Sequence, residues 1–190
     1  MNIKDLLQTF PRAGRVEWIG LRPKRRGPVQ VVDSVEASDV EGLLGDHYSG
    51  RSDGPQAGKR HVTLMQAEHL PAIGSYVGRV TVDPAELRRN IVVSGINLLT
   101  LKEQAFQLGE AVLEYTGECH PCTKMETALG PGGYNAVRGH GGITARVVRG
   151  GVIRVGDELI VLKPRLLGGH RSDNLNTPDL LAIANSADPI

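Results

Sequence analysis

The stretch FQLGEAVLEYTGECHPCTKM, residues 106–125, decides the fold and carries the chemistry of the chain. Two segments of strand-forming residues, 106–108 and 111–116, flank the pair Gly109 and Glu110, a pattern typical of a β-hairpin. The second segment runs directly into a turn that holds both cysteines of the sequence, Cys119 and Cys122. We therefore expect the two thiols to lie at the end of a core strand.

The cysteine turn, residues 117–125, is open to several interpretations. Structural zinc needs four ligands, and no second Cys or His pair with metal-ligand spacing occurs, so we expect no zinc. A dithiol redox pair normally opens a helix after a strand in a βαβ unit, and the Gly-rich, β-type surroundings differ from that pattern. Buried apolar cysteines are not expected beside His and Lys. A thiolate that binds a soft transition metal or carries sulfur remains.

On both sides of this stretch, the chain is a succession of short strand-like segments separated by glycine-rich turns. Few long helices and no repeated βαβ pattern occur, so we predict a mainly β architecture. Because exposed sheet edges must be removed, we expect a closed or nearly closed β-barrel with a few short peripheral helices. Gly150-Gly151 predicts a two-residue hairpin turn between the strands on either side of it. The other predicted strands span residues 15–21, 29–35, 61–64, 91–93, 144–149, 152–155 and 158–162.

Short helices are predicted at a few places. Ile3, Leu6, Leu7 and Phe10 have helical spacing. The segment Asp83-Pro84-Ala85-Glu86 has the residues of a capping box and predicts a short helix through residue 89. A helical stretch is predicted to begin at residue 65 and to be interrupted by Pro71 and Gly74, and residues 124–129 and 134–138 predict two further short helices.

Length and composition bound the possibilities. With 190 residues, 40% apolar and 23% charged, the chain is expected to form one domain over residues 1–163, with an N-terminal helix and lead-in at 1–13 and a polar tail at 164–190. Residues 48–59 are expected to form a surface loop. A net charge of +1 and 4% aromatic residues give no support for nucleic-acid binding. No apolar run reaches the roughly 20 residues of a membrane span, and no signal peptide is seen, so a cytoplasmic protein is expected.

Several separated blocks of the sequence resemble one known family. The motif TGECxPCxKM at 116–125, RRNIVVSGINL at 88–98, and GHGGIxARVVxGGxIxVGD at 139–157 are similar to those of a stand-alone MOSC domain, the module named after the C-terminal part of the molybdenum cofactor sulfurase. GRVEWIGL at 14–21 and GLLGDH at 42–47 extend the resemblance to roughly residues 14–163. It implies a β-barrel with peripheral helices, of the kind also seen as the small barrel of pyruvate kinase.

The resemblance also implies a chemistry. Cys122 corresponds to a cysteine that coordinates molybdenum, while the dithiolene pterin of molybdopterin supplies two further sulfurs. Arg88 and Asn90 occupy an R-x-N pattern that lies beside the cofactor in related amidoxime-reducing proteins, with Arg89 between them. The expected function is reduction of N-hydroxylated or otherwise N-oxygenated small molecules, aided by an electron-donor protein.

Two alternatives remain open. In the first, Cys122 holds a persulfide and the protein carries or transfers sulfur that it receives from a sulfur-donor protein. In the second, the barrel is a non-enzymatic interaction module. Pyridoxal phosphate, a label connected with the barrel superfamily, is not expected, because Lys102 and Lys124 lie in polar sequence and a Schiff-base lysine needs desolvation.

Further candidates complete the predicted site. His120, Lys124 and His140 are candidates for catalysis, and Arg138 and Arg146 for anion binding. The segment RPKRRGP, residues 22–28, places four cations within five residues, either in a solvated hairpin loop or around an anionic cofactor or substrate. Cys119 has no assigned ligand role; a disulfide with Cys122 or resolution of a persulfide are open possibilities.

Overall fold

The computed structural model describes residues 2–47 and 60–162, so the predicted loop at 48–59 and the tail at 164–190 lie outside the described residues. Four short α-helices and one 3-10 helix, Leu98–Leu101, accompany the strands in these ranges. The helices are α1 (Ile3–Leu7), α2 (His69–Tyr76), α3 (Lys124–Leu129) and α4 (Gly133–Val137). The strands are β1 (Gly14–Leu21), β2 (Gln30–Val32), β3 (Ser34–Ser38), β4 (Gly42–Leu43), β5 (Val62–Gln66), β6 (Ile91–Ser94), β7 (Ala105–Leu108), β8 (Ala111–Glu118), β9 (Ile143–Arg149), β10 (Gly151–Arg154) and β11 (Glu158–Val161).

Seven strands close into a barrel in the order β1, β6, β5, β9, β8, β7, β11, with β11 pairing back to β1. The closing seam is short: Gly14 lies opposite Leu159, Arg15 lies opposite Glu158, and the amide of Val16 donates to the carbonyl of Asp157 at 2.8 Å. The β5 and β6 strands run parallel, and the other ring neighbours run antiparallel. The predicted mainly β barrel with a few short helices is confirmed.

Two buried clusters explain how the sequence holds this arrangement. Alternate residues of a strand face opposite sides of the sheet, so Val62 and Leu64 of β5 lie in the barrel core while Met65 faces outward. Met65 packs with Ile73 of α2, Met125 of α3 and the residues around α4 in the second cluster. The three helices therefore form a layer against the outside of the barrel, and the cysteine turn leads into this layer. No helix among the described residues is long and apolar enough to cross a membrane.

The helix predicted from residue 83 is wrong, because the segment forms turns. Asp83 does accept a hydrogen bond from the amide of Ala85 at 2.8 Å. The Glu86 carboxylate, however, pairs with Arg79 at 2.9 Å instead of reaching back to cap a helix. Arg88 then adopts a φ of 59°, which ends any right-handed turn.

The hairpin predicted at Gly150-Gly151 is also wrong. Strand β9 pairs with β5 and β8, whereas β10 pairs with β3 in a second sheet of order β10, β3, β4. A Cβ at residue 151 would lie 2.7 Å from the backbone of Glu110, so glycine lets β10 pass close to the β7–β8 turn. The predicted strand at 29–35 is likewise divided between β2, which pairs with β1, and β3.

The predicted N-terminal helix is present as α1, but its apolar side chains face solvent: Ile3, Leu6 and Leu7 are 68%, 50% and 63% exposed. Within α2, Pro71 and Gly74 do not interrupt the helix as predicted. Proline is tolerated in the first turn, where its missing N–H needs no helical partner. Gly74 allows the helix to lie against the backbone of Thr81, which a Cβ would approach to 2.6 Å.

Candidate functional site

The cysteine turn begins where β8 ends, as the sequence predicts. Glu118 lies opposite Ile143 in the β8–β9 ladder, and the amide of Cys119 donates to the carbonyl of Gly142 at 2.9 Å. The carbonyl of Cys122 accepts the amide of Met125 at 2.9 Å at the start of α3. Both cysteines are free; Cys122 is exposed and Cys119 is half-buried. The turn therefore presents Cys122 to a ligand better than Cys119.

A basic pocket of about 290 Å³ includes Lys124, two residues beyond Cys122. Among the described residues that line it, four carry positive charge and none is acidic. Such a concentration of donors favours an anion. The lining residues are Arg22, Arg26, Gly27, Pro28, Val29, Ala85, Arg88 and Lys124.

The charges in the basic pocket act on one another. The pKa of Lys124 lies below its ordinary value of 10.5, chiefly because of the Arg88 guanidinium, then because of desolvation, with smaller effects of Arg26 and Arg22. The Cys122 thiolate acts in the opposite direction and raises the pKa of Lys124. The cations thus repel one another, and a negative charge at Cys122 or in the pocket offsets that repulsion.

Two of the pocket arginines have an uncommon backbone. Arg26 and Arg88 have φ of 65° and 59°, and Glu103, at 62°, is the third non-glycine residue with positive φ in the described ranges. A left-handed conformation costs a residue with a side chain about 1–2 kcal/mol. Strained residues of this kind cluster at functional sites, where the surrounding fold holds them. Two of the three such residues, Arg26 and Arg88, lie in the lining of the basic pocket.

A buried hydrogen-bond network lies beside the basic pocket. The backbone amide of Arg22, which follows β1, donates to Asp46 Oδ2 at 2.9 Å, and Asn90 Nδ2 donates to the same oxygen at 3.1 Å. Asn90 Nδ2 also donates to the carbonyl of Gly20, while its Oδ1 accepts the amide and the hydroxyl of Thr63. All hydrogen-bonding positions of the Asn90 amide are used within the protein. Asn90 thus supports the site by joining β1, β5 and β6.

Arg89 faces a different direction from Arg88. Its side chain is buried, Nε donates to the carbonyl of Gly141 at 2.9 Å, and Nη1 donates to the carbonyl of Leu87 at 2.9 Å. A Cβ on Gly141 would lie 2.0 Å from the carbonyl oxygen of Cys119. Arg89 therefore holds the glycine segment 141–142 against the cysteine turn.

The remaining predicted residues are spread around this centre. His120 is exposed within the turn, and His140 lies beside His69 with ring centroids 4.7 Å apart. Arg138 is exposed and contacts Asn135 Oδ1 at 3.5 Å. Arg146 pairs with Glu114 across β8 and β9 at 2.5 Å, so its charge is already matched on the outside of the barrel. The structure thus brings together Cys122, Lys124 and Arg88, and places Arg138 and Arg146 outside the pocket lining.

Sequence reasoning did not connect Arg22 and Arg26 with Cys122. The cation-rich segment 22–28 was the available signal, since an anion was one of its two interpretations. Asp46 and Thr63 were missed because their role depends on hydrogen bonds to Asn90 over 44 and 27 residues. In the described part of the chain, no group of three or more His, Cys, Asp or Glu side chains is placed to hold a metal ion.

Comparison with known proteins decides the family. The family model of the MOSC domain matches residues 43–160, more than half of the chain. The chain belongs to the MOSC domain family. This family is associated with the molybdenum cofactor. Among curated protein sequences, no match is found.

Solved structures share the MOSC fold of this chain. The YuaD protein of Bacillus subtilis superposes with a TM-score of 0.69 at 22% identity, covering 79% of this chain and 96% of YuaD. The YiiM proteins of Geobacillus stearothermophilus and Escherichia coli give TM-scores of 0.63 and 0.61, both at 17% identity. The alignments cover 79% and 80% of this chain and 75% and 71% of the two YiiM chains. At these identities the similarity concerns the fold.

Proposed function

We propose that this MOSC-domain protein binds the molybdenum cofactor, with Cys122 as a metal ligand, and reduces N-hydroxylated or otherwise N-oxygenated small molecules. One observation carries the proposal: the exposed Cys122 thiol stands two residues from Lys124 in a basic pocket that also contains Arg22, Arg26 and Arg88. The family and its association with the cofactor agree with this assignment.

The residues present fit the chemistry of such a cofactor. A soft thiolate is a suitable ligand for a metal that already has sulfur ligands. The phosphate of a pterin cofactor needs cationic donors, and arginine guanidinium groups can bind it in a bidentate manner. Because the pocket cations lower the pKa of Lys124, a bound anion would relieve their repulsion. The exposed thiol therefore suits the metal of the cofactor, and the basic pocket, which has no acidic residue in its described lining, suits the phosphate.

The residues of the chain have separate tasks in the proposed reaction. Arg22, Arg26 and Arg88 would bind and orient the anionic part, and Lys124 would offset the charge beside the thiolate. The cofactor, when bound, supplies the two-electron reduction, with electrons from a donor protein. Loss of a hydroxyl oxygen as water from an N-hydroxylated substrate consumes two protons. The exposed His120 is the candidate to hold one of them at an imidazole nitrogen.

The test compares two matched cysteine variants. The wild type, Cys122→Ser and Cys119→Ser proteins are purified from a host that makes the cofactor, and molybdenum is measured by mass spectrometry. Molybdenum is expected in the wild type and in Cys119→Ser, and at least tenfold less, about 1.4 kcal/mol in binding, in Cys122→Ser. Metal-free wild type with a confirmed fold would refute the proposal. Equal losses in the two variants would instead favour a paired dithiol.

Sulfur transfer is the second candidate, because the same exposed Cys122 thiol has the half-buried Cys119 three residues away. Attack of the Cys119 thiolate on a Cys122 persulfide would form a Cys119–Cys122 disulfide and release hydrosulfide. After incubation with a cysteine desulfurase and cysteine, Cys119→Ser, which cannot resolve the persulfide, would gain the mass of one sulfur atom and Cys122→Ser would not. No added mass on Cys119→Ser would rule out this candidate.

An interaction role is favoured by one further observation, the exposure of the apolar residues of α1, Ile3, Leu6 and Leu7. An interaction role is compatible with both cofactor binding and sulfur transfer. Deletion of residues 1–10 should then change the oligomeric state or the retention of a donor protein. An unchanged state and unchanged partner binding would remove the basis of this role.

A further inference from the structure

Two histidines from separate elements meet behind the cysteine turn. His69 is the first residue of α2, and His140 follows α4. Their rings stand edge to face, with centroids 4.7 Å apart and an interplanar angle of 89°. The ring of Tyr76 lies 5.5 Å from that of His140. This histidine pair has no part in the proposed cofactor chemistry.

The pair has unused hydrogen-bonding capacity in a buried position. The Nδ1 atoms of His69 and His140 are both buried without a partner among the described residues, as is Nη2 of the adjacent Arg89. Buried polar atoms in native proteins are rarely left unpaired, and those that are often have a functional reason. His69 also makes a hydrogen bond with the backbone of His140. A free Nδ1 lone pair on a neutral imidazole is a place where a proton can be added.

A continuous series of contacts leads from the histidine pair to the cysteine turn. The His140 backbone is bonded to His69 and to the carbonyl of Val137, the latter at 3.0 Å. The next residue, Gly141, lies against the Cys119 carbonyl and accepts the Arg89 Nε bond. The following residue, Gly142, accepts the amide of Cys119 at 2.9 Å. Residues 140–142 thus connect the imidazoles to the backbone of Cys119.

We propose that the His69–His140 pair is a proton-sensitive support for the cysteine turn: neutral imidazoles hold residues 140–142 against Cys119, and protonation releases this segment. The consequence for cofactor retention rests on the proposed function of Cys122. The coupling between the imidazoles and the Cys119 backbone does not depend on that function.

The charges around the pair determine the direction of the effect. Burial, and then the charge of the neighbouring His140, lower the pKa of His69 below its ordinary value of 6.5. The hydrogen bond to the His140 backbone, and then Glu68, act in the opposite direction, and the lowering causes prevail. Arg89, held at Gly141, adds another positive charge near His140, and Tyr76 contributes a neutral ring. Because the folded-state pKa of His69 is lowered, its neutral, supporting form is complete above pH 6.5. It is lost as the pH falls through the lower folded-state value.

The experiment uses the full chain, free of cofactor and labelled with nitrogen-15, in a His120→Gln background. That background removes the one imidazole within the turn itself. The chemical shift and hydrogen exchange of the Cys119 amide are followed from pH 8 to pH 5, together with the ring signals of His69. A single transition below pH 6.5, shared by the His69 ring and the Cys119 amide, is expected. Protection of that amide, corrected for intrinsic exchange, should fall at least tenfold, which corresponds to about 1.4 kcal/mol of local stability.

Two further variants test the cause. His69→Gln and His140→Gln, each in the same background, should remove the transition at the Cys119 amide. A Cys119 amide that titrates unchanged in both, or that shows no transition while His69 titrates in the parent protein, would overturn the inference. The ring titration in the parent protein decides the matter even where a variant folds poorly. Molybdenum binding by the wild type is measured separately, so failure of the support and failure of the proposed function are distinguishable.

Discussion

At the scale of single residues, Arg88 combines a strained backbone with a position in the basic pocket. Its φ of 59° costs an arginine about 1–2 kcal/mol relative to a right-handed conformation. Glycine adopts this conformation without that cost. If the fold alone determined the residue at this position, glycine would fit it at little cost. The guanidinium of Arg88 is the part of the residue that a ligand would need.

This leads to a prediction for Arg88→Gly. The free energy of unfolding, measured by urea denaturation, should stay within about 1 kcal/mol of the wild type or rise, because relief of strain offsets the greater freedom of glycine in the unfolded chain. Affinity for the anionic cofactor, measured as molybdenum retained after dialysis, should fall about tenfold or more, since a charge-assisted hydrogen bond contributes about 1.5–3 kcal/mol.

Glu103→Gly is the matched control for that prediction. Glu103 has nearly the same backbone, with φ of 62°, and it does not belong to the described lining of the basic pocket. The control should keep its molybdenum and show a similar change in stability. Equal loss of molybdenum in both variants would show that the backbone, and not the guanidinium, is what matters at residue 88.

The residues of the site differ in how far the sequence alone could predict them. Cys122 and Lys124 are two positions apart, so their proximity follows from the chain itself. Arg22 and Arg26 join them only because β1 ends beside the turn that carries Arg88, a long-range arrangement that no local pattern contains. Asn90 was predicted from its place in a motif, but its role in the scaffold depends on Thr63 and Asp46.

Asn90 therefore supports a second prediction. Asn90→Ala removes the partners of Thr63, Gly20 and Asp46, which are partly or fully buried, and should cost about 2–4 kcal/mol in the free energy of unfolding. Asn97→Ala is the control, because Asn97 Oδ1 is exposed and accepts one amide, that of Leu99, at 3.1 Å. It should cost about 1 kcal/mol. Urea denaturation of both gives the comparison; an unchanged stability with lost molybdenum in Asn90→Ala would indicate direct cofactor contact instead.

At the scale of elements, local sequence patterns predicted strands better than their partners. The β7–β8 hairpin was predicted from two adjacent segments and is confirmed, with Leu108 opposite Ala111 on either side of a tight turn. The β9–β10 hairpin failed because a glycine pair can also mark a close approach of backbones, as Gly151 does beside Glu110. The predicted helix at residue 83 failed because Glu86 has a competing partner in Arg79.

The junction between β8 and β9 yields a third prediction. Gly141→Ala places a methyl group 2.0 Å from the Cys119 carbonyl oxygen, so the β8 end and the start of β9 must separate. Overpacking of this kind costs about 1–3 kcal/mol. Alkylation of Cys119 by iodoacetamide, followed by mass spectrometry of the peptides, should become faster as the junction opens.

Gly139→Ala serves as the control for the junction. Its Cβ would meet nothing within 4 Å, although its φ of 78° still disfavours alanine. It should lose about 1–2 kcal/mol for the backbone conformation and leave the alkylation rate of Cys119 unchanged. Equal alkylation rates in the two variants would mean that contact with Gly141 does not limit access to Cys119.

At the scale of the whole molecule, closure of the barrel depends on contacts between the two ends of the described chain. The β1–β11 seam joins Gly14 and Arg15 to Leu159 and Glu158, more than 140 residues apart. The sequence supplies strands that need their edges covered, and the MOSC resemblance supplied the closure that the structure shows. The pairing itself could not be derived from periodicity, because period-2 patterns do not name a partner strand.

The last prediction concerns acid stability, to which half-buried imidazoles and exposed carboxylates contribute in different pH ranges. Burial is the largest cause that lowers the pKa of His47, His61 and His69 below 6.5. The folded state therefore binds fewer protons than the unfolded state, so stability is full above pH 6.5 and falls as the pH passes through the lowered values. The pKa values of Glu110 and Glu126 lie below 4.5, through hydrogen bonds with Arg154 and with the Tyr134 amide respectively, so their contribution is lost only in more acidic solution.

Between pH 8 and pH 5 the melting temperature, followed by circular dichroism, should consequently decrease with a histidine-dependent slope. His61→Asn should reduce that slope, because Oδ1 of asparagine stands at the position of His61 Nδ1 and can still accept the Val147 amide, which Nδ1 accepts at 3.1 Å, yet it takes up no proton. His120→Asn should leave the slope as it is, since His120 is exposed in the cysteine turn. A melting temperature that is constant from pH 8 to pH 5, or a slope that His120→Asn reduces more than His61→Asn does, would show that the half-buried imidazoles do not govern the acid response of this barrel.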